Sequence, residues 1–166
     1  MRCVERLAAV IDLILRYHPF GLKVLKGEVV PTTDELSEIV RTISAADESG
    51  IHATSNFRMF EQERRVISAD ALMEPVEMAG GWSVIADVIR AYAKMFPETW
   101  EMVRLHTEWV EPGGHSKMLG ESAVNRIAAR FGVSAETVRL KRSRALYQIA
   151  KAAMTTDRDG FLRLLP

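Results

Sequence analysis

One glycine between two helical patterns constrains this chain more than any other feature. Residues 127–145 read IAARFGVSAETVRLKRSRA. Before the glycine, Ser122–Phe131 carries Val124, Ile127, Ala128 and Phe131 on one face at helical spacing. Gly132 can adopt left-handed backbone because it has no Cβ to clash. Val133 is placed to plug the angle between two helices, and Ser134 to cap the second. From there Val138, Ala145 and Ile149 recur seven and then four residues apart, again on one face. Such a pair has to pack helix on helix, and the small side chain of Ala128 lets the two approach.

Opposite that inner face, the second pattern places Ala135, Glu136, Arg139 and Arg142, with Leu140 beside them. Two helices joined by a tight turn form a DNA-binding helix-turn-helix when the first turns of the second helix can enter the major groove. Arg139 and Arg142 suit guanine edges or phosphates, and Glu136 can accept from a cytosine amine. Ser134 and Ala135 stand where the helix would enter the groove. Lys141 and Arg144 suit flanking phosphates, which supply affinity without sequence information. Arg126 and Arg130, on the first helix, can meet the DNA backbone. The competing reading is an antiparallel helical pair with a solvated basic face.

Charge distribution favours the first reading. The chain of 166 residues has zero net charge, with 22 basic and 22 acidic residues. Between Lys117 and Lys151, however, eight basic residues face only Glu121 and Glu136, so this segment carries +6 and the remainder −6. A basic functional end sits on an acidic body. With 48% hydrophobic residues the chain can build a core. The single cysteine, Cys3, excludes an internal disulfide framework. No secretory signal pattern and no membrane-length apolar run is present, so the expected location is cytoplasmic, without membrane contact.

The rest of the chain also reads as helical. Val4, Leu7, Ile11 and Ile14 form one stripe of a helix over 4–18, with Asp12 interrupting its apolar stretch. Burial in the chain's own core is the preferred reading of that stripe, and a dimer seam is the alternative. Lys23–Val30 suits a small hairpin or an irregular loop. Thr32 and Glu35 have capping-box spacing ahead of Leu36, Ile39, Val40 and Ile43. Ser55–Leu72 is helical by composition. Pro75 and Gly80-Gly81 then mark the expected domain boundary. Beyond it, Ile85, Val88, Ile89, Tyr92 and Phe96 share a face, and Pro97 suits the first turn of a helix carrying Trp100, Val103 and Trp109. A loop is expected from Val110 to about Gly120. The expected organisation is a helical N-terminal domain over 1–78, a helix-turn-helix domain over 79–155 and a tail over 156–166.

Residues 83–153 resemble region 4 of bacterial RNA polymerase sigma factors and related helix-turn-helix regulators. Phe96-Pro97-Glu98-Thr99-Trp100-Glu101-Met102-Val103 is similar to that family's "LPER…EV". Ile127-Ala128 with Phe131-Gly132-Val133-Ser134 is similar to "IA…LGIS", and Thr137-Val138, Lys141 and Arg144-Ala145 are similar to "TV..R..RA". The resemblance implies a winged-helix-like or sigma-region-4-like domain, double-stranded DNA as partner, and RNA polymerase as a second candidate partner. Two departures stand out. The 110–120 loop is longer than the family's, and Arg142 occupies the place of a core leucine, which passes the packing role to Leu140 or Leu146. Residues 1–78 do not resemble the sigma region that grips polymerase. A sigma-like regulator of phage or mobile-element type therefore fits better than a complete sigma factor, and homodimerisation through the N-terminal half is a candidate role.

Enzymatic readings find little support. His106 and His115 lack metal-ligand spacing, and neither His-x-x-x-His nor Cys-x-x-Cys occurs. Gly113-Gly114-His115-Ser116-Lys117 does not have phosphate-loop order. Glu98/Glu101 and Glu61/Glu63 read as solvated faces. The expectation is an all-α, non-enzymatic chain with neither metal nor cofactor. Its expected job is sequence-specific DNA binding in transcription regulation. The alternatives are a DNA-recognition subunit of phage packaging and a helical protein-interaction module that does not bind DNA.

Overall fold

The computed structural model describes residues 3–17, 21–32, 34–38, 69–109 and 117–165, and among these the only regular elements are helices. The all-α expectation holds there. The first helix, α1 (Cys3–Tyr17), buries Leu7, Ile11 and Ile14 as its stripe requires. Its burial is wider than one stripe. Every residue from Ala9 to Leu15 is buried, Asp12 included. The apolar face of α1 is thus covered within the chain.

Residues 23–30 do not form a hairpin. A short helix, α2 (Gly21–Leu25), buries Val24 and Leu25 and closes through turns in which Lys26 N–H donates to the Leu22 carbonyl at 3.0 Å and Gly27 N–H to Val24 at 3.0 Å. The Thr32 capping box forms in both directions. Glu35 N–H donates to Thr32 Oγ1 and Thr32 N–H to Glu35 Oε1, each at 3.1 Å. It opens α3 (residues 34–38), whose Leu36 is buried. The expected continuation through Ile39, Val40 and Ile43, and most of Ser55–Leu72, lie outside the described residues.

Pro75 does not end a helix. It sits inside α4 (Ala69–Ala79), which continues to Ala79. Proline sacrifices one internal hydrogen bond. The helix survives because Leu72, Val76 and Ala79 are held in the core around it. The break belongs to the glycine pair. Gly80, at φ 104°, and Gly81 close the helix with two bonds: Gly81 N–H to the Val76 carbonyl at 2.9 Å and Gly80 N–H to Glu77 at 3.0 Å. These are the paired bonds of a glycine-terminated helix end.

Next come α5 (Trp82–Met95), with Ile85, Val88, Ile89 and Tyr92 buried, and α6 (Pro97–Trp109), which starts at Pro97 as expected. Then α7 (Lys117–Phe131) begins about one turn earlier than the expected Ser122 start. It leads to the long α8 (Ala135–Ala153) and to α9 (Arg158–Arg163). The expected tail is therefore partly helical, and Leu162 of α9 is fully buried.

The main core crosses the expected boundary at residue 78. It joins Leu7–Leu15 of α1, Val24 and Leu25 of α2, Leu72–Ala79 of α4 and the inner face of α5 to Ala145–Ala153 of α8 and Leu162 of α9. The division at 78/79 does not divide this core. α1 lies directly against α8, and α5 and α9 pack on α8 as well. A second, smaller core forms among α6, α7 and the start of α8. At about 1.5 Å per residue, the 19 residues of α8 span about 28 Å and belong to both cores.

Candidate nucleic-acid interface

The second core sets the geometry of the basic end. Met102 and Leu105 of α6, Val124, Ile127 and Ala128 of α7, and Val138 of α8 are buried together. Trp109, Phe131, Val133 and Ala135 pack around them. Three residues, Gly132–Ser134, join α7 to α8. Gly132 has φ 67°, the left-handed conformation, and Val133 N–H reaches back to the Ala128 carbonyl at 3.1 Å. Ser134 takes extended backbone, and its Oγ accepts from Thr137 N–H at 3.1 Å. The Ser134 and Thr137 hydroxyls also lie 2.8 Å apart. Glu136 in the first turn complements the positive end of the helix. Each turn residue thus has the local role its chemistry predicts.

The exposed side chains sort into three groups. On α7, Arg126 and Arg130 are exposed, one turn apart. The Arg126 guanidinium lies over the Trp109 ring, 4.5 Å from its centroid, which restrains an otherwise mobile side chain. Arg130 lies near Glu101. The carboxyl of Glu101 is held below its usual value chiefly by a hydrogen bond from Arg104, with smaller attractions from the charges of Arg104 and Arg130. Arg104 bridges Glu101 and Glu108 on α6, so that acidic face is offset in part by its own arginine.

On α8, the outward stripe is Glu136, Leu140, Ser143 and Tyr147, spaced four, three and four residues apart and exposed throughout. Arg139 and Arg144, both exposed, flank this stripe on its two sides. Lys141 is half-buried beside Arg144. Leu140 is 55% exposed, whereas Leu146 is buried at 3%, so Leu146 alone takes the packing role.

Two expected site residues change place. Ala135 is partly buried and packs against the small core, so its side chain is not on the outward face. Arg142 is buried at 6%, and its Nη1 lies 2.7 Å from Oδ1 of Asp12, itself 2% exposed. The expectation that Arg142 contacts DNA is thereby corrected. Position 142 follows Val138 by four and precedes Ala145 by three, so the helix turns it inward toward α1. A buried charge is tolerated when an opposite charge meets it, and Asp12 supplies one. Ser134 remains exposed, but its hydroxyl is committed to the cap.

Leu140, Ser143 and Tyr147 join the outward face without carrying a charge that marks them in the sequence. The signal for them was present: they continue the spacing of Glu136 and lie opposite Val138, Ala145 and Ile149. His106 is buried on α6, His115 lies outside the described residues, and no cluster of metal-ligating side chains forms among the described residues. No described helix is long and apolar enough to cross a membrane. The chain matches no family model, no curated protein and no solved structure.

Proposed function

We propose that this chain binds double-stranded DNA through α7, the Gly132–Ser134 turn and α8, acting as a helix-turn-helix in transcription regulation. The observation that carries the reading is the outward face of α8. It follows a glycine turn and a serine cap, is exposed along its length, and is flanked by Arg139 and Arg144, with Arg126 and Arg130 on α7. The small core holds both helices from behind. In this reading α8 lies in the major groove. Arg126, Arg130, Lys141 and Arg144 engage phosphates, while Glu136 and Arg139 face base edges. RNA polymerase remains a candidate second partner. The apolar face of α1 is already covered, so a homodimer would use other surface.

The test is fluorescence anisotropy with mixed-sequence duplex DNA across a salt series, comparing the full chain with Arg130→Ala/Arg144→Ala. Binding that weakens steeply with salt is expected. Loss of two phosphate contacts would flatten the logarithmic slope by about 1.8. A folded protein that binds no duplex at low salt would overturn the reading. It would favour a protein-interaction module, for which the exposed Leu140 and Tyr147 on the same stripe are the supporting observation.

A further inference from the structure

Resting on the DNA-binding reading, we propose that Leu140 reads the methyl group at C5 of a pyrimidine in the major groove. Leu140 is the apolar residue in the centre of the outward stripe, with Glu136 one turn before it and Ser143 one turn after. It is 55% exposed and does no packing, because Leu146 fills the core place on the inner side. It also stands early in α8. Five residues after Ala135, it is about 7.5 Å along the helix axis, within the turns that enter the groove.

The groove offers such a side chain one class of favourable contact. Base edges present hydrogen-bond donors and acceptors, and the C5 methyl of thymine is the apolar exception. A leucine pressed on polar edge groups strips their water and returns no hydrogen bond. Against a methyl group the same side chain gains by burial. Arg144, on one flank of the stripe, is placed to draw a phosphate toward it, while Arg139 on the other flank faces the base edges. Glu136 accepts hydrogen bonds, so it suits an exocyclic amine on a neighbouring base pair. The arrangement therefore selects a site that pairs an amine edge with a pyrimidine methyl group. Thymine carries that methyl in ordinary DNA, and 5-methylcytosine carries it in modified DNA.

The experiment uses the full chain and two random duplex pools, one with ordinary cytosine and one with 5-methylcytosine replacing it. Selection from each pool shows which pyrimidine is enriched at the contacted position. The methyl is then removed from the recovered site, uracil replacing thymine or cytosine replacing 5-methylcytosine. Removal at one position is expected to weaken wild-type binding about fourfold, the worth of burying one methyl group. Leu140→Ala should bind methylated and demethylated duplexes equally, while its thermal unfolding matches wild type because the residue is exposed and alanine favours helix. Methyl removal that costs wild type nothing, or costs Leu140→Ala as much as wild type, overturns the role of Leu140 and leaves DNA binding standing. Failure of the folded chain to bind either pool overturns both.

Discussion

Asp12→Ala should be among the most damaging single substitutions in the chain, although it only removes a carboxylate from the otherwise apolar stretch Leu7–Leu15. Asp12 is 2% exposed and Arg142 6%, and their charged atoms meet at 2.7 Å between α1 and α8. Without Asp12 the guanidinium stays in the core and loses the carboxylate 2.7 Å from it. Breaking a buried pair from one side costs about 3–5 kcal/mol. Total stabilities run about 5–15 kcal/mol, so this is a large fraction of the whole. For a domain of this size it corresponds to a fall in Tm of about 6–20 °C. Arg142→Met should cost a similar amount by taking the guanidinium away from the buried carboxylate. The double variant Asp12→Leu/Arg142→Met removes both charges at near-constant volume and should be neutral or more stable by about 1–4 kcal/mol. Urea unfolding followed by circular dichroism of wild type, Asp12→Leu, Arg142→Met and the double variant gives all four corners of the cycle, and the coupling between the sites is the quantity of interest. Single variants each within about 1 kcal/mol of wild type, with additive effects, would refute the buried-pair argument. The double variant also separates packing from recognition. It should keep DNA affinity, whereas Arg139→Ala loses it, because position 142 faces α1 and position 139 faces out.

Burial raises the Tyr92 phenol from 10.0 to about 12, opposed in part by the charge of Arg144. The unfolded chain loses that proton first, so the contribution of the neutral phenol is complete below pH 10 and is lost between pH 10 and 12. Stability measured beside Tyr92→Phe should fall more steeply over that window in wild type, and equal slopes would contradict the assignment. Gly132→Ala meets nothing within 4 Å of its new Cβ, so its cost is backbone strain alone, about 1–2 kcal/mol by denaturant titration. Ser134→Ala should cost about 1 kcal/mol through the lost cap. Leu162→Ala should cost about 2–5 kcal/mol, because α9 closes the main core and is not a tail; a change below 1 kcal/mol would return residues 156–166 to the status of an appendage.

Helix existence was readable wherever one face repeats. The stripes of α1 and α5, the Pro97 start of α6, the Thr32 capping box and the Gly132–Ser134 turn all follow from local chemistry and lie where that chemistry puts them. What failed required knowledge of partners. Pro75 reads as a stop signal unless the helix around it is held by a core. Residue 78 reads as a boundary unless α1 is known to lie against α8.

Asp12 and Arg142 show the same lesson at the site itself. Each is an anomaly in its own segment: an acid within an apolar stretch, and a base at a position whose spacing is that of the inner face. Read separately, the acid is an interruption of an apolar stretch and the base a DNA contact. Read together, they are one ion pair that docks the first helix of the chain onto the helix proposed to read DNA. Helical position therefore has to be settled before charge is given a role. Val138, Arg142, Ala145 and Ile149 share the inner face, and basic character does not move Arg142 off it. By the same rule Leu140, apolar and easily assigned to the core, belongs outside with Glu136 and Ser143. If α8 does enter the groove, its specificity is then set by a stripe in which arginine stands at the flanks and a leucine at the centre.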